Sequence, residues 1–248
     1  MIHRWLGLAL GVLISIICFS GAAIVFQDEF KGMMPDPAFI DVAKKLHRFL
    51  LDVPENPHGG MSVGRFIVGS VAICFTLILV TGMVAWWPRN RKMLKNRLTV
   101  KTSKGFRRFV YDSHVSLGIY AVLFLLLMSL TGPSWSFHWY HEGAMAVMGA
   151  DVPNMEHHGK PDDKAIQMPA PQKGDGQQMT QPDAHFKPDG QFKPDGKKPP
   201  QALLKELHTG KWGGLLMKII YFLAALIGGF LPISGYYMWW KRTHPARK

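Results

Sequence analysis

The sequence predicts an all-α integral membrane protein with four transmembrane helices. They form two parallel two-helix repeats around a pseudo-two-fold axis, with two outer loops. Three observations lead there. Hydrophobic residues, 48% of the 248, gather into four blocks at about 5–26, 66–87, 115–136 and 215–240. Each is long enough to cross a hydrocarbon core of about 30 Å at roughly 1.5 Å per residue. Basic residues are unevenly placed: 88–113 holds nine Lys or Arg and one acid, and 241–248 four and none. The third observation is an internal repeat. Adding 111 to the numbering carries His3 onto His114, Leu6 onto Leu117, Gly7 onto Gly118, Ser20-Gly21 onto Thr131-Gly132 and Phe26 onto Phe137. A repeat of this kind decides an architecture before any single element does.

The charge pattern also sets topology. Residues 27–60 hold four basic and six acidic side chains, and 138–209 eight and ten. The excess behind the net charge of +12 is therefore confined to one side, as it is in cytoplasmic loops. Both termini and the middle loop are expected in the cytoplasm. A nucleic-acid surface is excluded as the meaning of the charge. The two cysteines, Cys18 and Cys74, lie within apolar blocks and read as small buried hydrophobes. With no C-x-x-C-H, covalent haem attachment is excluded, and no zinc spacing occurs.

In chain order, residues 1–113 form the first repeat and 114–248 the second. The first helix begins just after His3. Its apolar run exceeds the roughly 7–15 residues of a signal-peptide core, and its copy after His114 lies mid-chain. The outer loop 27–61 carries Pro35-Asp36-Pro37, and Pro37 suits a first helical turn. Phe39, Ile40, Val42, Ala43, Leu46, Phe49 and Leu50 then recur at helical spacing. That predicts a helix lying on the membrane surface, with His47 on or beside its apolar face. Pro54, Pro57 and Gly59-Gly60 break the chain before the second helix, which ends in Trp86-Trp87-Pro88-Arg89, aromatic belt and then positive charge.

The basic inner loop 88–113 shows no strong periodicity, so the third helix is expected to start at His114. The long outer loop 137–213 includes a low-complexity stretch at about 159–200, with Phe-Lys-Pro-Asp-Gly twice. Its composition predicts an extended or disordered segment. Residues 201–208 regain helical character, and Gly213-Gly214 interrupts it before the last helix. That helix ends in Trp239-Trp240-Lys241-Arg242. Adding 153 carries Thr81-Gly82, Trp86-Trp87 and Arg89 onto Ser234-Gly235, Trp239-Trp240 and Arg242. Adding 161 carries Leu46-His47 onto Leu207-His208. The repeat unit is thus His, outgoing helix, outer loop, Leu-His, incoming helix, Trp-Trp.

Parallel repeats place equivalent residues around an axis along the membrane normal. His3 and His114 then share the cytoplasmic end, and His47 and His208 the outer end. One imidazole pair at each surface suits two non-covalent haem groups, each held on both axial positions and so suited to electron transfer rather than gas binding. Gly7 and Gly118 follow their histidines by four residues, on the same helix face, and leave room for a flat ring. Gly21, Gly132, Gly82 and Gly235 fall at the depths of the two pairs. Arg4, Arg89, Arg107, Arg108 and Arg242 are placed to meet haem propionates at the inner end.

A different reading is a non-haem membrane scaffold or metal-handling protein for copper or iron. His138, His141, Met145 and Met148 recur at helical spacing, so one face would offer two imidazoles and two thioethers to a soft metal. His58, His157, His158, His185 and His244 are scattered and read as solvated.

His3-x-x-Leu6-Gly7, Ser20-Gly21, Leu46-His47 and Trp86-Trp87-Pro88-Arg89 together resemble the PepSY-associated transmembrane family. The resemblance implies a bacterial inner-membrane protein, and some members are dihaem ferric-siderophore reductases. It places two haem b groups on His3, His114, His47 and His208. It further implies electrons taken from a cytoplasmic flavin- or NAD(P)H-linked donor and delivered to a periplasmic ferric siderophore or chelate, releasing Fe(II). Many relatives carry a folded PepSY domain outside, where this chain has the low-complexity stretch. No Gly-rich nucleotide loop is present, so the donor is expected to be a separate partner.

Overall fold

The computed structural model describes residues 1–29, 37–54, 61–149 and 199–244. The low-complexity stretch up to 198, together with His58, His157, His158 and His185, lies outside the described residues. So do Pro57 and Gly59-Gly60.

The described chain forms eight α-helices: α1 Ile2–Val25, α2 Pro37–Phe49, α3 Val63–Trp86, α4 Arg91–Leu98, α5 Phe106–Thr131, α6 His138–Val147, α7 Pro200–Thr209 and α8 Gly214–Thr243. Four of them are long and apolar enough to cross a membrane: α1, α3, α5 with its short 3-10 extension to Trp135, and α8 with the turn before it. Even the 24-residue α1 and α3 span about 36 Å at about 1.5 Å per residue.

Packing inverts the soluble pattern. Val84, Leu123 and Leu216 point outward, while Ser15, Ser20, Ser116, Ser129, Thr131 and Ser234 are buried. Lipid solvates large aliphatic groups as well as a protein core does, so small and hydroxylic residues fill the helix contacts. A Cβ on Gly11 would sit 2.9 Å from Pro232 and Tyr236, and one on Gly229 would sit 2.6 Å from Phe19. That closeness lets Ser15 Oγ donate to Gly229 O at 2.9 Å, joining α1 to α8. Thr76 Oγ1 donates to Ser129 Oγ at 3.0 Å, joining α3 to α5. Just past α1, Asp28 meets Lys211 at 2.6 Å and Glu29 meets the buried Lys218, fastening that exit to the start of α8.

Two expectations for the basic loop are corrected. α5 starts at Phe106, not His114, after Gly105 at φ 80°. The loop's single acid explains the extension: Asp112 is buried, meets Arg108 Nε at 2.9 Å and accepts from Lys101 N at 3.3 Å. The basic segment is thereby folded onto itself. The second correction is α4, which starts where the Asn90 side chain accepts from Met93 N at 2.8 Å. Such a cap satisfies an otherwise orphaned N–H.

α2 has one face toward the bundle. Phe39 and Val42 are exposed, but Ala43 is buried and His47 follows it by four residues on the same face. α7 repeats this with buried Leu204 and, four residues on, His208.

Candidate functional site

The four predicted histidines meet as two pairs. The rings of His3 and His114 lie 6.3 Å apart, centroid to centroid, at 82°. Those of His47 and His208 also lie 6.3 Å apart, at 49°. Each ring is held from behind by a neighbouring helix. His3 Nδ1 lies 2.9 Å from Ile78 O, and His47 Nδ1 2.8 Å from Ile17 O. His114 Nδ1 lies 2.8 Å from Ser234 Oγ, and His208 Nδ1 2.8 Å from Thr131 Oγ1.

These bonds decide the tautomer. A carbonyl only accepts, so Nδ1 of His3 and His47 must carry the proton. Ser234 Oγ gives its own proton to Leu231 O at 2.8 Å, and Thr131 Oγ1 gives its proton to Leu127 O at 2.6 Å. Both hydroxyls therefore accept from their imidazoles. In all four rings the lone pair is left on Nε2, the arrangement that orients a metal-ligating histidine.

The four holding elements share one design. A hydroxyl residue precedes a glycine: Ser20-Gly21, Thr81-Gly82, Thr131-Gly132, Ser234-Gly235. Three residues before the hydroxyl lies a carbonyl. In the first half His Nδ1 takes that carbonyl directly, and Ser20 or Thr81 donates to the same atom. In the second half the imidazole takes the hydroxyl instead. The glycine lets the ring come close. A Cβ would stand 2.8 Å from His47 at Gly21, 2.9 Å from His3 at Gly82, 3.6 Å from His208 at Gly132 and 4.0 Å from His114 at Gly235.

His47 and His208 are seated by their own short helices. The end of α2 is clamped on α3: Gly64 N donates to Asp52 Oδ2 at 2.8 Å, and a Cβ on Gly64 would collide with Phe49 O. α7 closes at Gly210, φ 73°, where a Cβ would stand 2.9 Å from the Tyr221 ring. Tyr221 Oη in turn donates to Leu207 O at 2.7 Å. Burial drives the pKa of both imidazoles down, that of His208 to about 3, with the neighbouring His47 adding to the effect there. Both are neutral at physiological pH, as a metal ligand must be.

A cavity of about 240 Å³ opens at the first pair, lined by His3, His114, Gly82, Gly118, Trp86 and Arg97 among others. Gly118 widens it, since a Cβ there would approach Leu231 to 3.6 Å; Gly7 faces open space. Trp86 Nε1 is buried without a partner among the described residues, which costs about 1–3 kcal/mol unless something else accepts its proton.

These observations suit a haem at each pair. Two imidazoles on opposite sides of one metal ion, with metal–nitrogen distances of about 2 Å, have ring centroids roughly 6.2 Å apart. Both pairs stand at 6.3 Å. The donor set is neutral nitrogen, the tautomers are the required ones, and the first cavity holds an unsatisfied donor.

Other expectations meet a different geometry. His138 is solvent-exposed and paired with Glu142 at 3.0 Å, while Met145 is buried. α6 therefore does not turn His138, His141, Met145 and Met148 toward one point. No cluster of three His, Cys, Asp or Glu able to hold a metal occurs among the described residues. Arg108 is committed to Asp112, and Arg4 lies over Trp5. The guanidinium at the cavity is that of Arg97, which sequence reasoning missed. It also missed the Nδ1 acceptors, although the hydroxyl-glycine pair, present once in each of the four long helices, was the signal that marks them.

A family model described as "PepSY-associated TM region" matches residues 31–242. His47, His114 and His208 fall within the match, and His3 precedes it. No curated protein and no solved structure matches the chain.

Proposed function

The chain belongs to the PepSY-associated transmembrane family, and we propose that it is a b-type dihaem cytochrome of the bacterial inner membrane. In this reading it passes electrons from a cytoplasmic flavin- or NAD(P)H-linked donor to a periplasmic ferric siderophore or related chelate. Reduction lets the softer Fe(II) leave the chelate. Both termini face the cytoplasm, and the four membrane helices are two parallel repeats that contribute one histidine each to every pair. The observation that carries the reading is the two imidazole pairs, at opposite ends of the bundle, with all four Nδ1 atoms committed as donors.

When bound, each haem supplies a one-electron Fe(III)/Fe(II) couple. The protein's part is positional. His3 and His114 would hold one group, and His47 and His208 the other, through Nε2. Ile78 O, Ile17 O, Ser234 Oγ and Thr131 Oγ1 hold the Nδ1 protons and so keep each lone pair aimed. Apolar side chains such as Leu79, Val122 and Leu231 keep water from the first site. Along α1, the 18 residues from His3 to Gly21 cover about 27 Å, so the two sites sit near the two faces of a bilayer. Donor and acceptor are thus met on opposite sides.

The visible spectrum of the purified protein tests this. A Soret band, with b-type α and β bands after dithionite, is expected. His114→Ala and His208→Ala should each remove about half the haem. A colourless protein, or full haem in both variants, refutes the reading.

A further inference from the structure

The cavity at His3 and His114 has a polar end that the imidazoles do not use. Trp86 closes α3 and lines the cavity, and its indole Nε1–H is buried without an acceptor among the described residues. Arg97 lines the same cavity. Its Nη1 donates to Ala85 O at 3.0 Å and to Trp86 O, so α4 reaches back onto the end of α3. Indole and guanidinium groups only donate hydrogen bonds. Two donor-only groups, one of them cationic, ask for an acceptor that carries negative charge. The neighbouring acid does not supply it: Asp112 is buried and occupied by Arg108 and Lys101 N. The remainder of the wall, with Leu79, Val122 and Leu231, is apolar apart from the exposed Tyr111, whose phenol is neutral and carries no charge to meet the guanidinium.

We propose that Trp86 and Arg97 form a carboxylate-binding end of this cavity, which holds the propionate edge of the haem gripped by His3 and His114. The inference rests on the dihaem reading and adds to it what fixes the ring's rotation about the His3–His114 axis. Trp86 is a positioning residue: it touches the edge of the group rather than its metal. Arg97 adds positive charge near the metal, which favours the reduced state.

The test is titration of the full-length apoprotein with iron protoporphyrin IX and with its dimethyl ester, whose carboxylates are blocked. Binding is read at the first pair in a His208→Ala background. The second pair, in a His114→Ala background, serves as the folding control. The free acid should bind at least ten-fold more tightly than the ester at the first pair. Trp86→Phe should erase most of that preference while leaving ester binding, and both ligands at the second pair, unchanged. Arg97→Gln should weaken the preference as well and lower the midpoint potential of the first site. If Trp86→Phe disturbs the control, Arg97→Gln alone decides. Equal binding of acid and ester by the unmutated cavity overturns the proposal. So does an undiminished preference in both variants, which would leave Trp86 as an ordinary interfacial tryptophan. Binding of neither ligand at either pair overturns the dihaem reading instead.

Discussion

Alanine at the four hydroxyl-linked glycines separates a built ligand socket from ordinary helix packing. In an exposed helix, Gly→Ala gains up to about 1 kcal/mol from propensity alone, and it would do so alike at all four positions. Around the histidines the four are not alike. A Cβ at Gly21 would come within 2.8 Å of His47 Cε1, and one at Gly82 within 2.9 Å of His3 Cε1, where ordinary contact begins at 3.4 Å. Those rings must retreat by roughly 0.5–0.6 Å, which reaches the tolerance of about 0.5 Å within which a ligating constellation works. The Cβ at Gly132 stands at 3.6 Å from His208 and that at Gly235 at 4.0 Å from His114, so these rings need not move. Disturbing groups that orient a metal ligand costs about 10–100-fold in affinity. Gly21→Ala should therefore weaken haem binding at the His47/His208 pair by about that factor, and Gly82→Ala at the His3/His114 pair. Gly132→Ala and Gly235→Ala should stay within roughly three-fold of the parent, less than about 0.7 kcal/mol. Absorbance titration of the apoproteins measures all four. Equal behaviour of Gly21→Ala and Gly132→Ala would sink the argument, because the imidazole stands at 2.8 Å from the first Cβ and at 3.6 Å from the second.

Removing the hydroxyl acceptors should act through the metal rather than the fold. Ser234→Ala and Thr131→Ala are each expected to lower haem affinity about ten-fold at one pair only, with the melting temperature of the apoprotein little changed; Ser234→Thr should restore binding. At the far end of α1, the hydrogen bond from Lys218 holds the Glu29 carboxyl below its ordinary value of 4.5. A depressed carboxyl pKa means that the pair's stabilisation is present above that value and is lost as pH falls through the folded pKa. Thermal melts should thus drop on acidification below about pH 4.5, and Glu29→Gln, which leaves the Lys218 ammonium without its partner, should lower the melting temperature at neutral pH and flatten that acid limb. An unchanged melting temperature in Glu29→Gln would show that the pair contributes nothing.

How far the sequence reached depended on the kind of information required. Four membrane helices were legible because length and apolarity alone decide them. The histidine partners were legible because the offsets of 111 and 161 match residues without any knowledge of helix rotation. Depth along a helix is as easily counted, which is why Gly21, Gly82, Gly132 and Gly235 fell at the right levels. Rotation was not legible. Whether a glycine backs its own helix's histidine, as expected for Gly7, or the ring of a neighbouring element, as at Gly21, depends on the azimuth at which two helices pack. Offsets place that only to within a turn. The early start of α5 was hidden for a different reason. Asp112 is one acid among nine basic residues, and nothing in a list of charges marks it as buried and as the hub that folds the segment. Arg97 was overlooked likewise, because its reach back to Ala85 O and Trp86 O depends on α4, an eight-residue helix whose cap at Asn90 is its main signal.

The way the rings are held also constrains what can make the two proposed centres differ. Each half of the chain has its own style of support: a backbone carbonyl behind His3 and His47, a hydroxyl behind His114 and His208. Each pair takes one ring from each half. Both centres therefore receive the same mixed set, one carbonyl-backed and one hydroxyl-backed imidazole, at the same ring separation of 6.3 Å. Support from behind the ligand tunes a metal through ligand basicity, and here that influence is matched between the sites. Any difference in potential between the proposed centres is then left to the angle between the rings, 82° at one pair and 49° at the other, and to the surroundings. Those do differ. The first site has the Arg97 guanidinium at its cavity, whereas at the second the Trp135 ring lies 5.0 Å from His208 and Arg65 is turned to the Trp135 carbonyl. Deleting the hydroxyl supports, with Ser234→Ala in one protein and Thr131→Ala in another, should accordingly shift the two potentials by similar amounts. Arg97→Gln should shift only that of the first site. Potentiometric titration of the three variants distinguishes the two origins, and a large unequal response to the two hydroxyl deletions would place the asymmetry in the supports after all.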